Sequence, residues 1–422
     1  MAETHSSQIF LGRQPILGSE QQLLAYELLF RPGPTTAENF ADFDDPAQAT
    51  ATVISNVFVT LSVTDTLGPY RGFINVDQRF LFSDLIEALP PAHVVLELLE
   101  TIQPTPEVVD RCRKLREMGF SLALDDVVDI ENDYRPLFEL AEIIKVDILA
   151  TGPDKLPALV ERLKPLGKKL LAEKVESAEQ AEMCKRLGFE LFQGYYFAKP
   201  TVIAGKKLKP SQISLLRLLD LVMRDAETAE IENALKVEPS LAVNMLRLTN
   251  SVSNALKTRI TSLRHAIALL GRRQLRRWLQ LLIYTTPRDT ERAANPLLPF
   301  AAARGRLVEL LARRLQPHNR EFSDQGFLVG VMSLMPALFE VSMEEIAAQL
   351  PFARPVKQAL LEQEGVLGML LQLSQSTEQA DPQVVDEALR RVPGITVEIL
   401  ENCLHQAFFW ANNLGREMDN AA

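Results

Sequence analysis

Cysteine is scarce: Cys112, Cys184 and Cys403 are the only three in 422 residues, and they lie far apart. An odd number of isolated thiols excludes a CxxC metal knuckle and suits reduced thiols, so a cytoplasmic protein is expected. Histidine numbers five, at positions 5, 93, 265, 318 and 405, and none is followed by Asp. Missing too is an apolar run of the ~18 residues that a membrane span needs. The longest candidates, such as 278-WLQLLIYTT-286, are too short, and no membrane partner is expected. The opening MAETHSSQIFLGRQP has neither a basic cap nor an apolar run, so no signal peptide is expected either. There is no basic excess: 45 Lys and Arg face 55 Asp and Glu, for a net charge of -10. That balance argues against a nucleic-acid coat. Neither a fixed-period repeat nor a low-complexity segment is found.

What is present is ordinary globular composition, 47% hydrophobic and 24% charged, in a chain long enough for two domains. Up to about residue 200 short apolar runs alternate with helical stretches. The runs 8-QIFL-11, 23-LLAYELLF-30, 72-GFINV-76, 94-VVLELL-99, 120-FSLAL-124, 143-IIKVDI-148, 169-KLLAE-173 and 189-FELFQGYYF-197 read as strands. Amphipathic segments such as 107–119 and 155–167 separate them. Strands buried on both faces and spaced by helices imply a parallel sheet, and eight imply a barrel of the α/β TIM type. The first pair, joined by the short turn 17-LGSEQQ-22, suits antiparallel pairing. From 213 onward the strand rhythm ends. Leu215, Leu218, Leu219 and Val222 form a helical stripe, as do Leu307, Leu310, Leu311 and Leu315, so an all-α bundle of about a dozen helices is expected. Residues 198–212 carry Pro, Gly and Lys without either period, which places the boundary between a barrel domain at 1–203 and a helical domain at 204–422.

Polar residues gather at the C-terminal ends of the expected strands: Glu27, then Asn75 and Asp77, Glu97 with Glu100, Asp125 and Asp126, Lys145 and Asp147, Glu173 and Glu176, and Gln193. In a closed barrel those ends meet on one rim, where the sites of this fold lie. Carboxylates and an amide crowded together repel unless they hold divalent cations, and oxygen donors suit Mg²⁺ or Mn²⁺. Two such ions activate a water and stabilise the leaving oxygen of a phosphodiester, while a lysine beside them steadies the developing charge. Taken singly, Asn75, Asp125 and Asp126 suit helix N-caps equally well. Glu27 and Glu97 do not, since Glu is a poor cap and each sits inside an apolar run.

These residues carry a family resemblance. 26-YELLFR-31 resembles the EAL signature, 74-INVD-77 the asparagine strand, 96-LELLE-100 the ELTE strand, 123-ALDD-126 the DDFG strand, 144-IKVD-147 the KID strand, 172-AEKVE-176 the AEGVE motif and 193-QGYYFAKP-200 the closing motif. The EAL family is a barrel that hydrolyses cyclic di-GMP to pGpG with two Mg²⁺ or Mn²⁺ ions. The resemblance implies Glu27, Asn75, Glu97, Asp125 and Asp126 as metal ligands, and Lys145 and Glu173 as catalytic residues assisting the attacking water. It makes Glu176 and Gln193 supports of the site and sets Arg31 on a ligand phosphate. It further implies a homodimer formed through the loop and helix after the fifth strand.

The sequence also departs from the pattern. After Asp125 and Asp126 the chain runs Val127-Val128-Asp129-Ile130 where the family has Phe-Gly and a glycine-containing loop. Lys174 replaces the glycine of AEGVE, and Leu99 the threonine of ELTE. β-Branched valines resist the positive φ that glycines supply. The barrel therefore resembles the divergent, YuxH-like EAL subgroup, and nucleotide binding or regulation is favoured over turnover. An active phosphodiesterase is the alternative, and a nucleotide-free scaffold with its carboxylates pulled apart or paired with Lys and Arg is the third.

The helical half resembles the HDOD domain, through 238-EPSL-241 leading to 250-NS-251 and through 260-ITSLRHAIALLG-271. The related HD enzymes bind metal through a His-Asp pair, and Ser333-Leu334 stand at that place here. A catalytically inactive domain that contacts a protein partner is expected. Pro239 suits the first position of a helix, Trp278 and Trp410 suit the core, and Arg264, Arg272, Arg273, Arg276 and Arg277 suit a solvated face or a landing place for an acidic partner or phosphate.

Overall fold

The computed structural model describes residues 9–20, 22–32, 67–129, 134–194, 210–252, 260, 262–285, 297–339, 341–378 and 382–419. By internal contacts the chain divides into two units, Met1–Phe197 with Thr377–Asp386, and Ala198–Ser376 with Glu387–Ala422.

Eight strands close the first unit into a barrel in sequence order. They are β1 (Ile9–Gly18), β2 (Leu23–Pro32), β3 (Arg71–Val76), β4 (Val94–Leu98), β5 (Ser121–Leu124), β6 (Ile143–Asp147), β7 (Lys169–Glu173) and β8 (Leu191–Phe192). β1 runs antiparallel to both neighbours, β2 and β8, and all other pairs are parallel. A short turn joins β1 to β2, whereas a parallel crossover needs a dozen or more residues.

Two strands differ from the sequence reading. β1 extends to Gly18 through Gly12 and Pro15, residues that read as a stop. It pairs with β8 only at Leu17 and Gly18, so Pro15 sits where no ladder on that side needs its missing N–H. β8 is shorter than expected. Phe189 belongs to the preceding helix end, where its N–H donates to the Cys184 carbonyl at 3.0 Å. At the other end Gly194 takes φ 153, and a Cβ there would lie 2.2 Å from the Val175 carbonyl oxygen.

The crossover helices are set by local signals. α1 (Pro106–Glu117) starts with Pro106 at its first turn and Thr105 as N-cap, accepting from the Val108 N–H, and it buries Val108, Cys112 and Leu115. Each such side chain contributes roughly 1.5–3 kcal/mol by leaving water. α2 (Ile148–Thr151) is a single turn capped by Asp147. The expected segment 155–167 is a helix only over Leu156–Leu163, then a 3₁₀ turn. α3 (Ala178–Leu187) opens with a Ser177–Gln180 capping box.

Inside the barrel one apolar residue from every strand meets the others: Ile16, Ala25, Phe73, Val95, Ala123, Ile143, Leu171 and Leu191, all buried. This layer makes the interior a packed core rather than a pore.

The second unit is all helix: twelve α-helices lie between Pro210 and Asp419 among the described residues. Its core gathers Leu215, Leu218, Leu219 and Val222 with Trp278, and Trp410 packs against its edge. Pro239 opens a helix running to Val252. α4 (Leu263–Leu282) is kinked at Gly271, which has φ 70. α5 (Leu297–Leu315) and α6 (Arg320–Met332) approach so closely that a Cβ on Gly330 would fall 2.7 Å from the Arg304 carbonyl. Arg320–Phe339 is apolar enough, by length and composition, to cross a membrane, but 72% of its most apolar window is buried within the protein.

Candidate active site at the barrel mouth

Two residues beyond the apolar layer, every strand changes character. Ala25 is followed by Glu27, Phe73 by Asn75, Val95 by Glu97, Ala123 by Asp125, Ile143 by Lys145, Leu171 by Glu173 and Leu191 by Gln193. On β1, which runs the other way, the same step leads back from Ile16 to Gln14, and Gln14 lies opposite Glu27. Side chains alternate along a strand, so a two-residue step returns to the same face about 6.6 Å higher. A ring of eight polar side chains therefore stands on the apolar floor at the C-terminal ends of the parallel strands.

Lys145 is its hub. Its ammonium contacts Glu97, lies 2.8 Å from Glu173, 2.9 Å from Asp125 and 3.5 Å from Glu27, and is only 1% exposed. Burial disfavours this charge, yet the surrounding carboxylates hold its pKa well above the usual lysine value. One ammonium offsets one of the four carboxylates, and the excess appears as raised pKa values. Burial, with Glu27 beside it, pushes Glu97 well above the carboxylate range. Burial likewise lifts Glu173 to about 7, against the pull of Lys145. Asp125 is the exception: its desolvation is outweighed by Lys145, and its pKa is lowered. Glu27 accepts from Asn75 Nδ2 at 3.2 Å and from Gln193 Nε2 at 2.5 Å, and Gln193 also donates to Gln14 Oε1 at 2.8 Å.

A second group stands just outside the ring. Carboxylate oxygens of Glu100, Asp125 and Asp126 lie within 4.8 Å of one another, as do those of Glu27, Glu97 and Glu173. Asp126 has φ 45 and Lys174 has φ 55. Both adopt the left-handed backbone, Lys174 at the place of a motif glycine. The Lys174 ammonium contacts Asp147 Oδ2 and lies 3.4 Å from Asp126 Oδ1. Asp147 Oδ1 is committed to the N–H groups of Leu149 and Ala150, at 2.8 and 2.9 Å. The helix caps at these strand ends are therefore Asp77 and Asp147, while Asn75, Asp125 and Asp126 are left for the mouth.

The donor set fits a hard divalent cation. Asn75 Oδ1, Glu97 Oε2, Glu173 Oε2 and Gln193 Oε1 are buried and have no hydrogen-bond partner among the described residues. The amide oxygens are acceptors, the carboxylate oxygens are acceptors once ionised, and leaving a buried acceptor without a donor or cation costs about 1–3 kcal/mol. Oxygen donors alone suit Mg²⁺ or Mn²⁺.

Seven of the expected site residues thus share one ring or touch it: Glu27, Asn75, Glu97, Asp125, Lys145, Glu173 and Gln193, with Asp126 alongside. Glu176 does not join them; it is exposed at the turn into α3, where its N–H donates to Gln180 Oε1 at 2.7 Å. The Arg31 backbone pairs with Phe10 on β1, and its side chain lies outside the described residues. Sequence reading missed Gln14, because its strand is the reversed one, although counting back from the β1–β2 hairpin places it opposite Glu27. Glu100, Asp147 and Lys174 were each noticed at a strand end or motif but not as contacts of the site.

In the helical unit the five-arginine cluster is tied down. Arg264 pairs with Glu232 at 3.0 Å, Arg273 with Asp324 at 2.6 Å, Arg276 with Asp225 at 2.9 Å and Arg277 with Glu309 at 2.7 Å, while Arg272 donates to the Ala226 carbonyl. These pairings tie loops and helices of this unit together. At the place of the HD pair, Ser333 Oγ accepts from Arg304 Nη1 at 2.8 Å.

The EAL domain profile matches residues 53–200 and the HDOD domain profile residues 212–349. Strands β1 and β2, with Glu27, precede the first match. The Vibrio cholerae protein named cyclic di-GMP phosphodiesterase CdgJ is 32% identical over 414 residues, covering 96% of this chain and 93% of its own. The uncharacterized protein YuxH of Bacillus subtilis is 30% identical over 412 residues, covering 96% and 98%. A solved structure described as a PaMucR phosphodiesterase in complex with c-di-GMP covers 46% of this chain and 96% of its own, at 21% identity and a TM-score of 0.39. On the strength of the two nearly full-length relatives, this chain belongs to the family of proteins in which an EAL barrel is followed by an HDOD helical domain.

Proposed function

We propose that the barrel mouth binds cyclic di-GMP with a divalent cation, Mg²⁺ or Mn²⁺, and hydrolyses one of its phosphodiester bonds to give pGpG. The observation that carries this reading is the polar ring itself, with four buried acceptor oxygens awaiting a partner above a sealed apolar floor. The nucleotide is taken from the activity for which the Vibrio relative is named. The bound ion supplies Lewis-acid polarisation of the phosphate and of an attacking water. Glu173, with a pKa of about 7, is poised to accept the proton of that water near neutral pH. The Lys145 ammonium, 2.8 Å from Glu173, faces the charge that develops on the phosphoryl oxygens. Glu27, Asn75, Glu97 and Asp125 are read as the ion's ligands, and Asp126, in the neighbouring acidic group, as the ligand of a second ion where one binds. Gln193 orients Glu27, and Arg31 is read as a phosphate contact.

Binding without turnover is the second reading, and one observation favours it: Lys174 holds Asp126, a carboxylate that the hydrolytic reading assigns to metal. We place the domain boundary at 203/204 and read the helical unit as a non-catalytic relay to a protein partner. A buried guanidinium, Arg304, stands on Ser333 where a metal-binding pair would be, and a cation there opposes a metal.

Incubation with cyclic di-GMP and Mn²⁺, followed by product chromatography, tests the hydrolytic reading. Linear pGpG is expected, and its loss in Glu27→Ala. Tight binding measured by calorimetry with no product would establish the second reading, and absence of both would remove the nucleotide from the account.

A further inference from the structure

The two carboxylate groups at the mouth differ in what neutralises them. The inner group of Glu27, Glu97, Asp125 and Glu173 shares the single ammonium of Lys145 and retains unpartnered oxygens on Glu97 and Glu173. Beside the outer group Asp147 is fully engaged, with one oxygen on two backbone N–H groups and the other on Lys174, while Asp126, next to Glu100, shares the same half-exposed ammonium at 3.4 Å. We propose that Lys174 is a built-in cation for Asp126 and Asp147, so that the mouth takes one divalent ion, in the inner group, and not a second in the outer one. The inference rests on the reading that the inner group holds a divalent ion.

The backbone fixes the point from which that half-exposed side chain leaves the strand. Lys174 follows Glu173, the last residue of β7, and precedes the fully buried Val175. The Val175 N–H donates to the Gln193 carbonyl at 3.0 Å, and Gly194 packs against the Val175 backbone. A lysine here tolerates φ 55, which glycine would adopt without steric cost. The strained conformation directs the side chain across the mouth to two acids on neighbouring strands. A divalent ion bound at Asp126 would lie beside this ammonium, and like charges at such distances weaken binding. The fold keeps one charge that needs no metal supply beside a group that does.

Counting Mn²⁺ bound to the full-length protein, stripped of metal and free of nucleotide, tests this, with free Mn²⁺ read from its electron paramagnetic resonance signal. The wild type is expected to bind one ion per chain. Lys174→Gly, which relieves the backbone, and Lys174→Met, which keeps the strain but loses the charge, are each expected to bind two. Glu97→Gln added to Lys174→Met is expected to lose the inner ion and keep the outer one. Two ions in the wild type, or one in both single variants, would overturn the inference and leave the proposed function standing. Two in Lys174→Gly but one in Lys174→Met would also overturn it, since backbone relief rather than charge would then open the second place. No ion in any variant would overturn both readings.

Discussion

Two buried charge clusters in this chain are near mirror images, and only in one of them is every carboxylate oxygen met. In the helical unit a single carboxylate, Glu309, 1% exposed, sits among Arg277, Arg306 and Arg313 at 2.7 to 3.0 Å. Each of its oxygens accepts two guanidinium hydrogen bonds. Burial alone would raise its pKa, but those bonds and charges hold it below the usual value. The arginines in turn reach partial exposure, and Arg277 stacks 3.9 Å over the Phe327 ring. In the barrel a single ammonium, Lys145, sits among four carboxylates, and there burial wins at Glu97 and Glu173, whose pKa values rise. A buried carboxylate whose two oxygens are both met is a fastening. Several acids buried around one ammonium, with acceptor oxygens left over, mark a place kept for a ligand, because the fold carries a cost that an added cation, or a proton, removes.

The largest effect that separates the two belongs to chemistry. Glu97→Gln removes a ligand with no hydrogen-bonding role for the fold outside the mouth, so Mn²⁺-dependent release of pGpG should fall by about 10³-fold or more, as loss of a major transition-state contact implies. Chromatographic product assays read this directly, and wild-type turnover in Glu97→Gln would sink the assignment. Next comes Glu309→Ala. It strands three arginines around a hole that is 1% exposed, and breaking such a pair costs roughly 3 kcal/mol. The melting transition of the helical unit should drop by roughly 10 °C in calorimetry, while product release per folded molecule stays unchanged.

The same contrast explains what the sequence disclosed and what it hid. The barrel's alternation was readable because strands buried on both faces are written as apolar runs, and a Glu inside such a run, at 27 or 97, has no other explanation. The ring could be assembled from β2 to β8 because all run the same way and end at the same rim. Gln14 escaped because β1 is reversed, so its ring residue precedes the apolar one instead of following it. Lys174 was visible as a substitution of a motif glycine, but its role depends on where a strained backbone throws a four-carbon chain, which no one-dimensional spacing encodes. The valines after Asp126 suggested that the loop must change shape, yet Asp126 itself absorbs the positive φ and Val127 continues the ladder by donating to the Lys145 carbonyl at 2.9 Å. The arginines of α4 looked alike in sequence; only the fold shows that four of them meet an acid and one a carbonyl.

A smaller effect should follow from pH. Glu173 is held protonated up to about 7 in the folded barrel, against an ordinary carboxylate value of 4.5. A group whose folded pKa is raised contributes stability that is complete below the unfolded value and is lost as pH climbs through the folded one. For Glu173 that window runs from about 4.5 to about 7, and its ceiling is about 3 kcal/mol. Metal-free protein should therefore melt several degrees lower at pH 8 than at pH 5, with Glu97 acting in the same direction. Saturating Mn²⁺ should restore most of the loss at pH 8, since cation binding and protonation answer the same excess charge. The pH dependence should shrink in Glu173→Gln; an undiminished slope there would move the titration to other groups.

The smallest expected effect is also the sharpest test of the contrast, because its sign is at stake. In metal-free protein at pH 8, Glu97→Gln replaces a carboxyl group whose charged form burial already disfavours in a set that outnumbers its lysine. The change should fall within about 1 kcal/mol of zero, on the stabilising side. Glu309→Gln, the same side-chain change where both oxygens are met by guanidiniums, should cost about 1–3 kcal/mol, because the arginines lose the charge they were built around. Denaturant unfolding of the two variants, each compared with wild type under the same conditions, gives both numbers. A variant that is more stable yet inactive is the signature of a group retained for function at the expense of the fold. Equal destabilisation by the two substitutions would instead mean that the mouth is a fastening too, and that its orphaned oxygens wait for nothing.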